Sequence, residues 1–443
     1  MSAALALQSA ALARAASRKS ALARPLTSLA AIGDSMTYQN SYGSGWKLPY
    51  GFLTWAEILS GGGLYSPNQL NFGVSGDRTD QMLARVGSVV GASPDICVVL
   101  GGVNDIRTIS PAESIRNLGR IYDRLQAAGV LVVAMPPIPV GIHAGLVPTM
   151  SEQNHLARIR QYIRTRSTED GGLVVADATS MLVNHADPNG HPLGGTPAGS
   201  SIPTAVTYDG LHPSIRGAYW MGKAIADALG PRLGGKPPIC GGVNDMYDPS
   251  ANPSGSKLGT GLPLGTSGGA LSNGATGSVP SGWTLRRQSA GGSVSGTFEA
   301  RALANGQSRQ VYRIDISGTQ ATGEVSARFY RQLFSGFQPG ERVEGVIELE
   351  IAGVAQDALT EVQLQIADTT GKSARVLGVQ TGTPTGTKFR YPNQPWTGVL
   401  RTNPIVLGNT TALDFVLSVA IAGIENAAAT VRVTGARLSR CLD

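Results

Sequence analysis

The chain has 443 residues, of which 42% are hydrophobic and 15% charged, and a formal net charge of +6. A single hydrophobic core stops growing at roughly 250 to 300 residues, so this length predicts two domains, and the apolar content excludes a disordered chain. Four cations in the first 27 residues carry most of the net charge, and the nearly neutral remainder excludes the broad basic surface that nucleic-acid binding needs. No apolar run reaches the roughly 18 residues of a membrane span, so no integral membrane segment is predicted.

Residues 1–27 are rich in alanine and leucine, and their charges, Arg14, Arg18, Lys19 and Arg24, lie in the second half of the segment. A secretory signal places its charges before the apolar stretch, so this order favours a docking or oligomerising leader helix. A non-standard export signal is the alternative. The segment does not fix where the protein acts, and we favour an extracellular location or the surface of a virion or cell.

Residues 28–233 alternate short apolar runs with helix-length amphipathic segments, which is typical of a parallel sheet covered on both faces. We therefore predict an α/β fold, a three-layer α/β/α flavodoxin-like domain. The predicted strands are 26–32, 70–74, 95–100, 130–135 and 173–176. The predicted helices are 53–59, 80–90, 111–128, 150–166 and 214–229.

The composition changes to Gly, Pro, Ser, Asn and Thr over residues 234–281, which indicates a linker or a loop-rich lead-in to the second domain. Residues 282–443 then alternate apolar and polar positions between glycine turns, with few helix signals. This pattern predicts an all-β, jelly-roll-like antiparallel sandwich as an accessory domain. The predicted strands there are 310–316, 324–329, 342–351, 361–366, 415–421 and 429–438.

The three cysteines differ in their positions along the chain. Cys97 lies within an apolar strand and is expected to be an inert buried residue. Cys240 and Cys441 bracket the predicted β domain, so a disulfide between them would close a long loop and imply an oxidising compartment. Two unpaired thiols are the alternative, and the sequence leaves both open.

Three short motifs follow predicted strands, and a fourth precedes the last predicted helix. Ser35 lies in the run Ile-Gly-Asp-Ser directly after the first strand, and Gly76 and Asn104 follow the second and third strands. Asp209 and His212 precede the last helix. Because the carboxyl ends of parallel strands meet at one edge of a sheet, where open α/β folds bind their ligands, we expect these side chains to converge.

With these four blocks, residues 28–233 resemble the SGNH hydrolase family, also called GDSL-type esterases. The resemblance implies that Ser35 is the nucleophile and that Asp209 and His212 complete a catalytic triad. It also implies an oxyanion hole formed by the backbone N–H groups of Ser35 and Gly76 and by the Asn104 side chain. The one departure is Met36, where the family usually has leucine, and this change conserves volume.

These residue types suit acyl transfer. A neutral imidazole can take the serine proton, a carboxylate fixes its tautomer, and amide donors stabilise the negative charge that develops on the carbonyl oxygen. No metal or organic cofactor is expected. Three similar patterns were weighed against this site: the second Gly-Gly-Val-Asn-Asp at 241–245, the Gly-x-Ser-x-Gly at 265–269, and His185, Asp187 and His191 as metal ligands. None has the preceding strand or the spacing that its chemistry needs.

Aromatic residues could serve two purposes in this chain. Tyr38, Tyr42, Trp46, Tyr50 and Phe52 follow the nucleophile and would either line the substrate site or pack the loop. In the β domain, aromatics beside glycine or proline would either stack on sugars or fill the core, and the sequence does not separate these possibilities.

The sequence therefore predicts a serine esterase that acts through an acyl-enzyme on an acylated small molecule or polysaccharide. An O-acetyl ester of a carbohydrate is the preferred substrate, by analogy with family members that carry a β-sandwich. The alternatives are a lipid or short-chain acyl esterase, and a glycan-binding surface or phage-tail-like attachment protein. The β domain is expected to fold independently and to bind glycan or mediate oligomerisation.

Overall fold

The structure, a computed structural model, describes residues 27–40, 46–144, 146–169, 172–187, 190–193, 204–233, 245–253, 255–258, 267–289, 291–302, 306, 308–318, 323–378 and 390–441. The chain divides into two compact units, the first comprising residues 1–42 and 50–237 and the second residues 43–49 and 238–443. The predicted leader helix and Cys240 lie outside the described residues, apart from Thr27, so the leader and the disulfide stay predictions.

The first unit contains a parallel sheet. Its strands are β1 (Thr27–Gly33), β2 (Leu64–Tyr65), β3 (Asn71–Gly73), β4 (Ile96–Leu100), β5 (Leu131–Met135) and β6 (Leu173–Val175). The short strands β2 and β3 pair with successive parts of the same edge of β1, and β4, β5 and β6 follow on its other side, all parallel. With β2 and β3 sharing one position, this is the flavodoxin-like strand order.

Seven helices accompany this sheet in the described part of the first unit. They are α1 (Ser35–Tyr38), α2 (Phe52–Leu59), α3 (Thr79–Ala92), α4 (Pro111–Ala127), α5 (Met150–Glu169), α6 (Thr179–Leu182) and α7 (Ile215–Leu229). The start of α4 follows the predicted capping pattern, with Pro111 in its first turn and the Ser110 hydroxyl accepting a hydrogen bond from the Glu113 backbone N–H at 3.2 Å.

The sheet is buried on both faces because its strands are continuously apolar. Along β1, Leu29 and Ala31 belong to a core with α2 and α7, whereas Ala30 and Ile32 belong to a second core with α3, α4 and α5. This alternation produces the three-layer α/β/α fold that was predicted. Cys97 is fully buried in β4, and burial raises the pKa of its thiol to about 12, which makes it the inert residue expected.

The second unit consists of β-strands in two sheets. Its strands are β7 (Ala270–Ser272), β8 (Thr276–Gly277), β9 (Thr284–Arg287), β10 (Gly292–Ala302), β11 (Ser308–Gly318), β12 (Val325–Leu333), β13 (Arg342–Ala355), β14 (Leu359–Asp368), β15 (Ser373–Val376), β16 (Trp396–Arg401), β17 (Ile405–Val406), β18 (Leu413–Ile421) and β19 (Ala428–Arg440). One sheet has the order β16-β13-β19-β11-β10-β8, with β17 also pairing with β13. The other has the order β15-β14-β18-β12-β9-β7. The pairs are antiparallel, except that β8 and β7 run parallel to β10 and β9.

Aromatic rings fill the space between these sheets. Tyr312 of the first sheet stacks on Phe329 of the second with ring centroids 4.7 Å apart, and Trp283 stacks on the same Phe329 at 4.4 Å. All three rings are buried. The arrangement is a sandwich of mainly antiparallel strands, as the alternating pattern predicted.

The segment that follows α1 contributes residues 43–49 to the second unit. The Lys47 backbone N–H donates to the Arg375 carbonyl at 3.0 Å, and the Leu377 N–H donates to the Lys47 carbonyl at 2.8 Å. The Arg375 guanidinium lies over the Trp46 ring, 4.3 Å from its centroid. Residues near 47 thus add a short parallel bridge beside β15, a pairing that no sequence pattern indicated.

No helix among the described residues is long and apolar enough to cross a membrane.

Candidate active site

Ser35 lies on a sharp turn at the carboxyl end of β1. Asp34 caps the one-turn helix α1, because its Oδ1 accepts a hydrogen bond from the Met36 backbone N–H at 3.0 Å. The Met36 and Thr37 side chains are buried and hold the turn in the core, whereas Ser35 is half-exposed. Methionine at position 36 is therefore accommodated as a core residue.

Ser35, His212 and Asp209 form one continuous chain of hydrogen bonds. Asp209 Oδ2 lies 2.6 Å from His212 Nδ1, and His212 Nε2 lies 2.8 Å from Ser35 Oγ. A carboxylate only accepts, so Nδ1 carries the hydrogen, and in the neutral ring Nε2 then accepts the Ser35 hydroxyl hydrogen. The sequence-predicted triad residues, which are 177 positions apart at most, are thus brought together in the geometry that proton transfer from serine requires.

The turn before α7 holds the Asp209 carboxylate in place. Its Oδ1 accepts hydrogen bonds from the backbone N–H groups of Leu211 at 3.0 Å and His212 at 2.7 Å. Burial alone would raise the pKa of Asp209, but the hydrogen bonds and positive charge of His212, together with the backbone donors, hold the pKa below its usual value. Asp209 is therefore ionised at neutral pH and can stabilise a protonated His212.

Tyr208 supports the His212 ring from one side. The two rings are stacked, with centroids 5.6 Å apart and an interplanar angle of 15°. The Gln39 side-chain amide donates to the Tyr208 hydroxyl, which links this ring to the end of the nucleophile turn. Neither residue was singled out in the sequence, because a tyrosine in a loop carries no motif.

Gly76 and Asn104 occupy the loops after β3 and β4. Gly76 has a φ of +82°, and a Cβ added there would meet nothing within 4 Å, so its backbone borders open space. The Asn104 side-chain nitrogen donates to the Asp77 carbonyl at 3.0 Å, which joins the two loops. An amide nitrogen carries two hydrogens, so one remains available to a ligand.

Arg85 of α3 ties these loops to the sheet. Its guanidinium pairs with Asp77 at 2.6 Å and donates to the Gly33 carbonyl at 2.7 Å and to the Phe72 carbonyl. The contacts join the ends of β1 and β3 to the loop that carries Gly76. Sequence reasoning missed Arg85, because an arginine on an amphipathic helix ordinarily belongs to the solvated face.

Asp34 is a buried carboxyl beside the nucleophile. It is fully buried, and among the described residues its Oδ2 has no hydrogen-bond partner. Burial raises its pKa to about 7, against the lowering effects of the Met36 hydrogen bond and of the His212 charge. The folded chain therefore favours a protonated Asp34 below neutral pH.

His143, Asp209 and His212 form the one group among the described residues that offers three potential metal-ligand atoms, all within 4.8 Å of one another. A tetrahedral zinc ion bound at about 2.0 to 2.2 Å keeps its ligand atoms roughly 3.3 to 3.6 Å apart. The 2.6 Å separation between Asp209 Oδ2 and His212 Nδ1 is shorter than this spacing. The group is therefore arranged as a hydrogen-bonded cluster.

A groove of about 160 Å³ adjoins Asn104. Its walls are mainly apolar, with Arg107 and His143 as their charged or titratable members; the lining residues are Val103, Asn104, Ile106, Arg107, Val140, Gly141, His143, Leu146, Pro148 and Leu211. Leu146 is 54% exposed, and the nearby Val147 and Met150 are 56% and 69% exposed. The groove thus opens beside a cluster of exposed apolar side chains, which the sequence had not indicated.

The aromatics after the nucleophile mostly pack the fold. Tyr50 and Phe52 are buried, Trp46 belongs to the second unit, and Tyr42 lies outside the described residues. Tyr38 is 41% exposed and remains a candidate for substrate contact. In the sandwich, Trp283, Phe329, Tyr391 and Trp396 are buried, whereas Phe334 is exposed at the turn between β12 and β13.

The patterns weighed against this site fall elsewhere. Residues 241–244 of the second Gly-Gly-Val-Asn-Asp run and residues 265–266 of the Gly-x-Ser-x-Gly pattern lie outside the described residues. His191 Nδ1 lies 2.7 Å from Asp187 Oδ2, whereas His185 Nε2 donates to the Ser180 carbonyl at 2.9 Å. These histidines therefore engage different partners.

The matches found in comparisons with known proteins fall in the first unit. Residues 31–219 match the model of the GDSL-like lipase/acylhydrolase family. A GDSL-like lipase structure from Bacteroides thetaiotaomicron is 19% identical, with 50% of this chain and 97% of that chain covered and a TM-score of 0.35. A lipolytic G-D-S-L family member from Veillonella parvula is 14% identical, with 46% and 98% covered and a TM-score of 0.34. An acetyl xylan esterase structure, AlAXEase, is 16% identical, with 46% and 99% covered and a TM-score of 0.34. No curated protein sequence matches this chain.

Proposed function

We propose that the first unit, in which residues 31–219 form a domain of the GDSL-like lipase/acylhydrolase family, hydrolyses carboxylic esters through an acyl-enzyme on Ser35. The observation that carries the proposal is the hydrogen-bonded chain from Ser35 Oγ through His212 to Asp209, with distances of 2.8 and 2.6 Å. The pKa of Asp209 lies below its usual value, so the carboxylate is ionised at neutral pH, as its role requires.

The first half of the reaction forms the acyl-enzyme. His212 Nε2 takes the hydroxyl hydrogen as Ser35 Oγ bonds to the ester carbonyl carbon, and the carbonyl oxygen becomes an oxyanion. Collapse of this intermediate breaks the bond to the alcohol oxygen, which receives its proton from His212. Asp209 stays ionised and stabilises the imidazolium that forms between these two steps.

The second half releases the acid. A water molecule gives a proton to His212 Nε2 while its oxygen attacks the acyl carbon. The second tetrahedral intermediate then expels Ser35 Oγ, which recovers the proton. The backbone N–H groups of Ser35 and Gly76 and one hydrogen of the Asn104 amide are the proposed donors to both oxyanions, each typically contributing a few kcal/mol.

The groove beside Asn104 favours an acyl chain as the group held next to the oxyanion donors. Six of its ten lining residues are apolar side chains, Leu146 among them, and an aliphatic chain gains about 0.8 kcal/mol for each buried methylene. This observation favours the lipid or acyl-esterase alternative. The O-acetyl ester of a carbohydrate stays a prediction to be tested alongside it.

The first experiment tests the triad on p-nitrophenyl acetate. We expect Ser35→Ala and His212→Ala each to lower kcat by on the order of 10³-fold or more, since triad members act as a unit. Asp209→Asn should also be severe but leave more residual activity, because the histidine keeps its place with the wrong tautomer. Retained activity in Ser35→Ala would remove the proposal, whereas a wild-type chain without activity on this ester would favour the attachment-protein alternative.

The second experiment measures kcat/KM across p-nitrophenyl esters of two to twelve carbons. A groove that holds the acyl chain predicts a rise from acetate to intermediate lengths. The rise should weaken in Leu146→Ser and persist in Leu193→Ser, a matched change at an exposed leucine that is not part of the groove lining. A preference for acetate in all three proteins would contradict the acyl-groove assignment and support an acetylated carbohydrate.

A further inference from the structure

His143 belongs to a loop that is joined to the Asp209 turn through the backbone. The Gly141 N–H donates to the Gly210 carbonyl at 2.7 Å. Gly210 has a φ of +86°, and a Cβ added there would lie 2.1 Å from the Ile142 carbonyl oxygen. Only glycine permits this close approach, which fixes the loop against the turn that presents the triad carboxylate.

The His143 ring faces the triad carboxylate directly. Its Nδ1 lies 3.3 Å from the Asp209 backbone carbonyl oxygen and 3.3 Å from Asp209 Oδ2. The backbone carbonyl only accepts, so Nδ1 carries a hydrogen and donates it to that carbonyl. The contact between Nδ1 and Oδ2 is electrostatic and places the positive end of the N–H dipole beside the ionised carboxylate.

The same ring also contacts His212. The two imidazoles meet edge to face, with centroids 5.4 Å apart and an interplanar angle of 76°. Asp209 Oδ2 therefore has two imidazole neighbours, at 2.6 Å from His212 and 3.3 Å from His143. The two approach directions leave the carboxylate little freedom to rotate away from His212.

We propose that His143 is a positioning residue of the hydrolytic site: its Nδ1–H bonds the Asp209 backbone carbonyl, lies beside the carboxylate, and so holds Asp209 against His212. This inference rests on the proposed esterase function of the same site. His143 acts through Asp209, and its place in the groove wall is a separate, passive contact. Nothing in the four sequence motifs assigns it.

Two polar substitutions of His143 test whether the side chain must donate a hydrogen bond from the position of Nδ1 or need only be polar. In His143→Asn, the amide nitrogen can occupy the place of Nδ1 and donate to Asp209. In His143→Gln, the longer side chain moves the amide away from that place. We expect kcat to fall about tenfold in His143→Gln and less than threefold in His143→Asn, because only the asparagine keeps a donor to Asp209. His185→Phe, at an exposed histidine outside the site, should leave kcat unchanged.

A double-mutant cycle with Asp209→Asn distinguishes positioning from substrate contact. If His143 acts through Asp209, adding His143→Gln to Asp209→Asn should change kcat less than twofold further. An additive tenfold loss, or an equal loss in His143→Asn and His143→Gln, would overturn the proposal. Thermal unfolding of each variant checks that the chain remains folded.

A measurement without substrate keeps this inference separate from the proposed function. In the full chain labelled with ¹⁵N-histidine, proton NMR should show a strongly deshielded Nδ1 proton of His212 that disappears in Asp209→Asn. We expect His143→Gln to shift this proton and His143→Asn to leave it in place. A resonance unchanged in His143→Gln would refute the positioning role whether or not the protein hydrolyses esters, whereas Ser35-independent hydrolysis would refute only the proposed function.

Discussion

The two units of this molecule use their charged residues differently. In the first unit, charged and titratable side chains gather at the carboxyl ends of β1, β3 and β4 and at the turn before α7, where burial and neighbouring charges shift the pKa values of Asp34 and Asp209. In the second unit, charges pair across the strands of one sheet: Arg432 of β19 bonds Glu350 of the neighbouring β13 at 3.0 Å and Glu299 of β10, two strands away, at 2.7 Å.

This difference indicates where chemistry is to be sought. Shifted pKa values beside an open groove are typical of functional sites, whereas cross-strand ion pairs stabilise a sheet and neutralise its surface. We therefore expect the proposed reaction in the first unit, and we expect the polar residues of the sandwich to serve mainly its own strand pairing. The predictions below test that division.

Outside the Ser35, His212 and Asp209 triad, the largest effect is expected in the first unit at Asn104. Removing one oxyanion donor costs about 10² to 10³ in kcat, so Asn104→Ala should lose that much on a soluble ester while the fold remains intact. The matched control is Asn244→Ala, in the second copy of the same Gly-Gly-Val-Asn-Asp pattern, and it should leave kcat unchanged. If the two variants exchange these results, the functional copy of the motif is the second one.

In the second unit, the largest effect is expected from breaking the buried ion pair between Lys257 and Glu341. Their side chains are each 5% exposed, and the ammonium lies 2.7 Å from Glu341 Oε1 and 4.0 Å from the centroid of the Tyr247 ring. Glu341→Ala leaves a buried cation without its carboxylate and should destabilise this unit by about 3 kcal/mol. Lys257→Met combined with Glu341→Leu should recover much of the loss.

Hydrogen exchange of the full-length protein shows which segments are destabilised by Glu341→Ala. Faster exchange should appear in peptides of β13 and β19, with peptides of β4 and β5 and the rate on a soluble ester unchanged. Equal loss of protection in both units would show that they unfold together, and the division drawn above would then not extend to stability.

A smaller effect concerns pH and the buried Asp34. Its pKa is about 7 in the folded chain and 3.8 as the ordinary value, so the folded state binds the proton more tightly. The stability that this contributes is fully present below pH 3.8 and is lost as the pH rises through 7. Between pH 5 and pH 7 the loss should be about 2 kcal/mol in the first unit.

Asp34→Asn removes this titration while preserving the size of the side chain. The free energy of unfolding of wild type and variant is measured at pH 5 and pH 7, followed in peptides of the first unit. It should fall with rising pH in the wild type by about 2 kcal/mol more than in the variant. Parallel pH dependences in the two proteins would mean that Asp34 is ionised throughout.

The smallest effect is expected from ending the chain near Leu233. Such a protein keeps the whole parallel sheet and every proposed catalytic group, so we expect kcat on p-nitrophenyl acetate within about tenfold of the full chain, and weaker action on polymeric esters because a tethered second module is lost. It also lacks residues 375–377, with which Lys47 pairs, so we expect a lower melting temperature. A truncated protein that folds but is inactive on the small ester would show that the second unit completes the site.

Much of the fold and of the site could be predicted because short stretches of the sequence indicate the strands, the helix starts and the site residues. The continuous apolar runs of β4 and β5 and the Ser110-Pro111 start of α4 place these elements within one or two residues of their observed ends. Ser35, Asn104 and His212 could be grouped because parallel strands end at one edge of their sheet.

The rest depends on contacts between segments distant in sequence. β10 has glycine and serine among its first positions and little alternation, so its pairing with β11 decides its conformation. Arg85 and His143 acquire their partners only once α3 and the loop after β5 pack against the active-site turns. No spacing along the chain could have revealed them.

The most direct test of the central claim is covalent labelling of the full-length protein with a fluorophosphonate, which reacts with an activated serine and remains attached. Mass spectrometry of the intact chain should show one adduct, and digestion should locate it on the peptide that contains Ser35. Ser35→Ala should show no adduct, and Asp209→Asn should label much more slowly, because the activating histidine would lose its tautomer. An adduct on another residue, or none in a protein that still hydrolyses esters, would contradict the account.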